Sequence, residues 1–187
     1  MLVLGLDTSG LQLAVVLLQD GAVAAQASYA ERREQGEVLL PLIDDCLKQA
    51  NSQLVDIKAI AVVTGPGSFT GLRLGLAAAQ GLVRVLGCSA AGYDRFSLMR
   101  QALQDKPVAI VLDSLRAELF VQVPDAPPQM LTPGQINAAW SGSITGDGAS
   151  HLPGHAAVDL PKAAELAARQ IAIDIDSGKK LLPLQPF

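Results

Sequence analysis

GPGSFTGLRLG, from Gly65 to Gly75, is the stretch on which the reading of the chain turns. An apolar run of small and β-branched residues precedes it (Ala59, Ile60, Ala61, Val62, Val63), and an apolar pattern follows from Leu72 to Leu86. The stretch therefore joins a buried strand to a helix. Gly65, Pro66 and Gly67 supply the turn, because glycine reaches positive φ while proline fixes its own φ and pushes the residue before it away from helical angles. Past them come Ser68, Phe69 and Thr70, and either hydroxyl can cap the helix by accepting from its free N–H groups.

Two roles fit such a junction. A glycine-rich loop at a helix N-terminus can cradle a phosphate, since unpaired N–H groups and the helix dipole both favour an anion. The usual phosphate loop needs G-x-x-x-x-G-K-[ST], however; Thr70 stands five residues after Gly65, Leu72 five after Gly67, and no lysine follows. The second role belongs to the helix. Gly71, Gly75 and Ala79 recur every four residues beside Ala78 and Leu82, which makes one face smooth enough for another helix to approach. Glycine inside a helix costs up to about 1 kcal/mol relative to alanine, so close contact has to compensate, either with a partner or with the protein's own sheet.

The full sequence has 187 residues, half of them hydrophobic, enough for one large domain or two small ones. Its formal net charge is −4 and aromatic residues make up 4%. With no lysine or arginine stripe and no stacking platform, the chain is not expected to hold nucleic acid by itself. The opening MLVLGLDTSG has no basic segment, and Asp7 interrupts its apolar run, so neither a signal peptide nor a membrane span is expected and the predicted location is cytoplasmic. Cys46 and Cys88 are isolated in apolar helical patterns and read as free thiols.

In chain order, strands are predicted at 2–7, 11–18 and 22–29, the last following an Asp20-Gly21 turn. Leu39, Leu42, Ile43, Cys46, Leu47 and Ala50 then mark an amphipathic helix over 35–50, with Pro41 expected within about its first turn. Strand 59–64, the helix after the glycine-rich loop, a strand at 89–92 and a helix over 94–103 complete a first unit. After residue 105 the pattern restarts: Val108–Leu112, Asp113-Ser114 and Glu118–Val123 repeat the strand-Asp-hydroxyl-strand opening around Asp7 and Thr8. Leu112-Asp113-Ser114 corresponds to Leu6-Asp7-Thr8, and Leu119 to Leu13. Two such units predict an α/β fold of tandem, ribonuclease-H-like lobes of the actin-like (ASKHA) kind, spanning 1–105 and 106–187, with the second lobe reduced. That lobe is read as a Pro-rich loop at 124–133, a short helix near 134–140, a strand at 143–145 and a closing helix. The closing helix is predicted to be capped by Asp159, with Pro161 in its first turn, and to run to about Asp174.

Asp7, Thr8 and Asp113 stand where an actin-like nucleotidase would hold metal and phosphate. Asp and Ser are equally common in turns, and a working nucleotide site is not expected, so these residues read as a vestige. His151 and His155 have the spacing of metal ligands, but Pro153 and Gly154 lie between them and make a solvated loop the better reading. Arg73 is the lone charge in its apolar run, free to cap a pocket, pair at an interface or reach solvent. No cofactor and no metal are expected.

These features resemble the bacterial TsaB (YeaZ) family of tRNA threonylcarbamoyladenosine biosynthesis. The resemblance rests on VVTGPGSFTGLRLGLAAAQGL (Val62 to Leu82), supported by LGLDTS, VLLPLIDDCL, LDSLRAELF and the final LLPLQPF. It implies an actin-like fold and a role in forming N6-threonylcarbamoyladenosine beside the anticodon of ANN-decoding tRNAs. Implied partners are the TsaD-like transferase and the TsaE-like ATPase, with tRNA reached only through the complex and a homodimer when the chain is alone. The metal ligands of catalytic relatives fall on Arg95 and Met99, neither of which can replace an imidazole. The resemblance thus implies a non-catalytic scaffold, whose partner interface is expected on Leu39, Leu42, Ile43, Cys46, Gly71, Arg73, Gly75, Ala78, Ala79 and Leu82. The rival reading is an actin-like small-molecule kinase or ATPase using Asp7 and Asp113.

Overall fold

The computed structural model describes residues 1–30, 34–104, 106–181 and 184. β1 (Leu2–Asp7), β2 (Leu13–Gln19) and β3 (Ala22–Tyr29) form an antiparallel meander. Its second turn places Asp20 at φ 51° and Gly21 at φ 83°, the paired positive values that a tight two-residue hairpin requires. α1 (Gln35–Gln49) follows. Pro41 lies inside this helix rather than in its first turn. The carbonyl it leaves unserved, that of Glu37, belongs to an exposed residue and can be met by water.

β4 (Ile57–Val63) joins β1 in parallel, α2 (Phe69–Leu86) follows the glycine-rich turn, and β5 (Ser89–Tyr93) extends the sheet. The order is β3-β2-β1-β4-β5. Alternation along the strands splits the sheet's residues between two cores. Leu4, Leu6, Val15, Leu17, Ile60 and Val62 face α1 and α2, while Val3, Val16, Ala61 and Val63 face the opposite side.

α3 (Arg95–Leu103) leads toward the second sheet, built from β6 (Ala109–Asp113), β7 (Leu119–Gln122), β8 (Gln129–Leu131) and β9 (Ile144–Thr145), with α4 (Pro133–Ala139) between the last two. Its order, β8-β7-β6-β9, repeats that of the first: an antiparallel meander with a parallel strand added beyond its first strand. This is the expected actin-like pair of α/β units with the second one cut short. The registers differ by one residue, since Ala14 rather than Leu13 lies opposite Asp7, whereas Leu119 lies opposite Asp113.

Three features of the second half depart from the sequence expectation. The Pro-rich loop contains β8, an edge strand whose outer side needs no donors. The closing helix α5 (Ala163–Asp176) begins after Lys162 instead of Asp159. Val158 is held beside β9, donating from its N to Ile144 O (2.8 Å) and accepting from Thr145 Oγ1 (2.6 Å), which keeps the chain extended ahead of Pro161. Finally, α5 does not stay with the second unit. It crosses back onto β1, β2 and β4, burying Ala164, Ala167, Ala168 and Ile171 in the core on the far side of the first sheet. A division at 105 therefore separates the two sheets but not the closing helix. Asp105 itself, and residues 182–183 and 185–187 of the closing LLPLQPF, lie outside the described residues.

Candidate partner interface and the interlobe cleft

The glycine stripe of α2 faces inward. A Cβ on Gly71 would stand 1.9 Å from the Thr8 carbonyl oxygen, and one on Gly75 would stand 2.4 Å from Thr8 Oγ1 and 3.4 Å from a Val62 methyl. The missing side chains let the β1–β2 loop lie against the helix, and Thr8 Oγ1 donates to Gly71 O (2.6 Å). Ala79 is likewise buried in the first core. The expectation that Gly71, Gly75 and Ala79 meet a partner is thereby corrected, because their own chain already occupies that space. Leu39, Ile43 and Cys46 of α1 are corrected for the same reason: all three belong to the core under the sheet. Burial, with a smaller push from Asp45, raises the Cys46 thiol to about 11, which leaves it unreactive.

What α2 offers outward is a different stripe. Phe69, Arg73, Ala77, Gly81 and Val85, again four apart, are all exposed, with Phe69 59% and Val85 79% accessible. Leu74, Ala78 and Leu82 lie half-buried along its flank, and α1 adds exposed Leu40 and half-buried Leu42 on the same side of the sheet. The Arg73 guanidinium stacks over the Phe69 ring at 4.0 Å, which settles that residue's role in the monomer as a cation–π contact along one helix turn.

The signature loop is closed by its own hydrogen bonds. Ser68, not Thr70, is the N-cap, accepting from Gly71 N (3.2 Å), and Ser68 N donates to Ser9 O (2.7 Å). Gly65 sits at φ 104°, buried, with Pro66, Gly67 and Ser68 half-buried and Phe69 and Thr70 exposed. The loop's N–H groups at Ser68 and Gly71 are thus spent within the protein rather than turned to an anion.

Asp7 and Asp113 occupy matching places at the ends of β1 and β6, and both are buried. Each makes the same local turn: Asp7 Oδ1 accepts from Ser9 N (2.8 Å) and Ser9 Oγ (2.5 Å), and Asp113 Oδ1 accepts from Leu115 N (2.6 Å). Between the two sheets lies a cleft of about 490 Å³ whose lining includes Asp7, Arg95, Met99, Thr145, Asp147 and Lys162. Arg95 N donates to Gly65 O (2.6 Å), its Nη1 to Pro66 O (3.4 Å) and its Nη2 to Asp147 Oδ2 (3.0 Å). Asp147 Oδ1 accepts in turn from Asp113 N (3.0 Å).

The histidines are not simply solvated. His151 Nε2 lies 3.1 Å from Asp113 Oδ2, while His155 spans Gly142 O and Asn137 Oδ1, both at 2.9 Å. They do not converge, and among the described residues no three His, Cys, Asp or Glu side chains are placed to hold a metal. Sequence reasoning passed over Asp147, although Gly146-Asp147-Gly148 directly after a strand marked a backbone position with little room. It also missed a buried cluster at the end of α5, where Asp174 accepts from Tyr93 Oη (2.9 Å), Gln170 Nε2 (2.8 Å) and Lys179 Nζ (3.0 Å). Burial, then the Asp174 bond and charge, raise the Tyr93 phenol.

Comparison with known proteins accords with this geometry. The family model for TsaD, tRNA N6-adenosine threonylcarbamoyltransferase, matches residues 23–124, more than half of the chain. The tRNA threonylcarbamoyladenosine biosynthesis protein TsaB of Escherichia coli (strain K12) is 42% identical over 82 residues, 44% of this chain and 35% of that protein. Matched segments span only about a third of the curated TsaB relatives. YeaZ from Pseudomonas aeruginosa superposes with a TM-score of 0.71 at 25% identity, covering 95% of this chain and 93% of that one. The activator of the 2-hydroxyisocaproyl-CoA dehydratase from Clostridium difficile, 11% identical with a TM-score of 0.57 over 98% of this chain and all of that one, shares the fold alone. The chain belongs to the family that the TsaD model describes, on its TsaB/YeaZ side.

Proposed function

We propose that this chain is a non-catalytic scaffold subunit of the assembly that forms N6-threonylcarbamoyladenosine in tRNA, pairing with a TsaD-like transferase through the outer faces of α1 and α2. The observation that carries this reading is the exposed stripe Phe69, Arg73, Ala77, Gly81 and Val85. Its centre is small and its ends are apolar, so another helix can approach closely along it. The name of the curated TsaB relatives supports the pathway. A non-catalytic role is supported by Asp113, both of whose oxygens are engaged by Leu115 and His151, and by Asp7, one of whose oxygens is held by Ser9. In isolation the same stripe pairs two copies of the chain, and the assembled complex recruits a TsaE-like ATPase. tRNA is reached through the complex, because a chain of net charge −4 adds no electrostatic attraction of its own.

The test is co-expression with a TsaD-like transferase, followed by size-exclusion chromatography and a tRNA modification assay. Stoichiometric co-elution, modification that depends on this chain, and no ATP hydrolysis by the chain alone are the expected results. Hydrolysis of ATP with Mg²⁺ by the purified chain would instead favour a small-molecule kinase or ATPase.

A further inference from the structure

We infer that Arg95 and Asp147 form a built-in tie across the cleft, one that sets the separation of the two sheets from within the protein. This is independent of the partner reading above. Arg95 stands at the start of α3 and is 5% exposed, yet its polar atoms reach both units. On one side, its backbone N and Nη1 hold the carbonyls of Gly65 and Pro66 in the loop that begins α2. On the other, Nη2 holds Asp147, which belongs to the turn after β9 and whose second oxygen receives the N–H of Asp113 at the end of β6. A single side chain thus links the first unit's signature loop to the second unit's hairpin. Gly10 makes room for the pair, since a Cβ there would stand 2.8 Å from Asp147 Oδ2.

The energetics give the tie its direction. Arg95 Nε is buried without a hydrogen-bond partner among the described residues, so Asp147 is the only carboxylate that compensates this guanidinium among its described ion pairs. A buried ion pair adds little over well-packed apolar groups, but removing one partner strands the other charge out of water. With Asp147 neutralised, the way to rehydrate Arg95 is to part the cleft walls. With Arg95 itself replaced by an apolar side chain, the charge left behind is that of Asp147, which is 28% exposed and keeps the bond from Asp113 N. It needs little added water, and the walls, which include Met99, can stay close.

Hydrogen exchange read by mass spectrometry tests this on the full chain. Asp147→Asn keeps an oxygen for Asp113 N but loses the ion pair. Exchange at 113–115 and 145–152 should rise at least tenfold, with α1 and α2 unchanged. Arg95→Met should raise exchange in the same segments by a smaller factor, and the double variant should behave like Arg95→Met, because the buried guanidinium is gone from both and Asp147 is partly exposed. Unchanged exchange at 145–152 in Asp147→Asn, a rise spread evenly over both sheets, or a double variant as open as Asp147→Asn would each overturn the tie.

Discussion

The two long faces of α2 are built from the same kinds of residue at the same spacing, yet they do opposite things. Inward, Gly71, Gly75 and Ala79 are small because the β1–β2 loop lies where side chains would be. Outward, Ala77 and Gly81 are small with open space before them; a Cβ on Gly81 would meet nothing within 4 Å. Small residues at i, i+4 therefore do not by themselves distinguish a fold contact from a docking face. What does distinguish them is the neighbour. Thr8, with its hydroxyl donating into the first turn of α2, marks the inner face. Exposed Phe69 and Val85 mark the outer one.

The largest expected effect comes from the inner face. Gly71→Ala sets a methyl group 1.9 Å from a backbone oxygen that cannot rotate away, and should lower stability by about 3 kcal/mol or more in urea unfolding. Gly75→Leu should follow at roughly 1–3 kcal/mol, since Thr8 and Val62 must give way. If either variant unfolds at the parent's midpoint, the two faces have been assigned the wrong way round.

Asp174 supplies a scale for inner packing away from α2. Asp174→Ala removes the partner of the Tyr93 hydroxyl and should cost about 2 kcal/mol, near the middle of the range for a stranded buried polar group. Burial pushes the Asp174 carboxyl up, but bonds from Gln170, Lys179 and Tyr93 together with the Lys179 charge outweigh it and hold it below its ordinary value of 3.8. A depressed carboxyl stabilises the fold above the unfolded value and loses that contribution as pH falls through the folded one. As pH falls below about 4, then, the parent should lose stability more steeply than Asp174→Asn, as read by thermal melts.

The smallest effect belongs to the outer face and has the opposite sign. Gly81→Ala should stabilise the monomer by about 0.5–1 kcal/mol, because helix propensity is gained and nothing is displaced. A loss of stability at dilutions where the chain is monomeric would show that this face is already packed against its own chain.

Much of the fold was legible because its signals are local. Alternating apolar residues with an Asp20-Gly21 turn specify the meander, and the recurrence of Asp7-Thr8 as Asp113-Ser114 reveals the second unit before any contact is known. That second unit was legible only in outline. β8 hides among prolines since an edge strand tolerates them, and α5 reads as part of its neighbours in sequence although its alanine face fits the first sheet. Choosing where Ala164 and Ala168 pack is a long-range decision that periodicity does not encode. The same limit applies to the site. An amphipathic pattern shows that α1 and α2 have apolar faces, but Leu39, Ile43 and Cys46 are the residues the pattern is built on and hence the ones the core takes first. Asp147 was missed because one carboxylate between two glycines carries no chemistry until Arg95 stands 3.0 Å away.

The central claim is that partner binding resides on the outer stripe of α2 and not on its glycine face, and Ala77→Glu probes it most directly. Isothermal titration of this variant and the parent against a purified TsaD-like transferase, with melting temperatures taken on the same samples over several dilutions, separates binding from folding. The account predicts an unchanged monomer melting temperature and at least a hundredfold weaker binding, because a charge at the centre of the stripe would be buried without a partner. Parental affinity in a fully folded Ala77→Glu would contradict it.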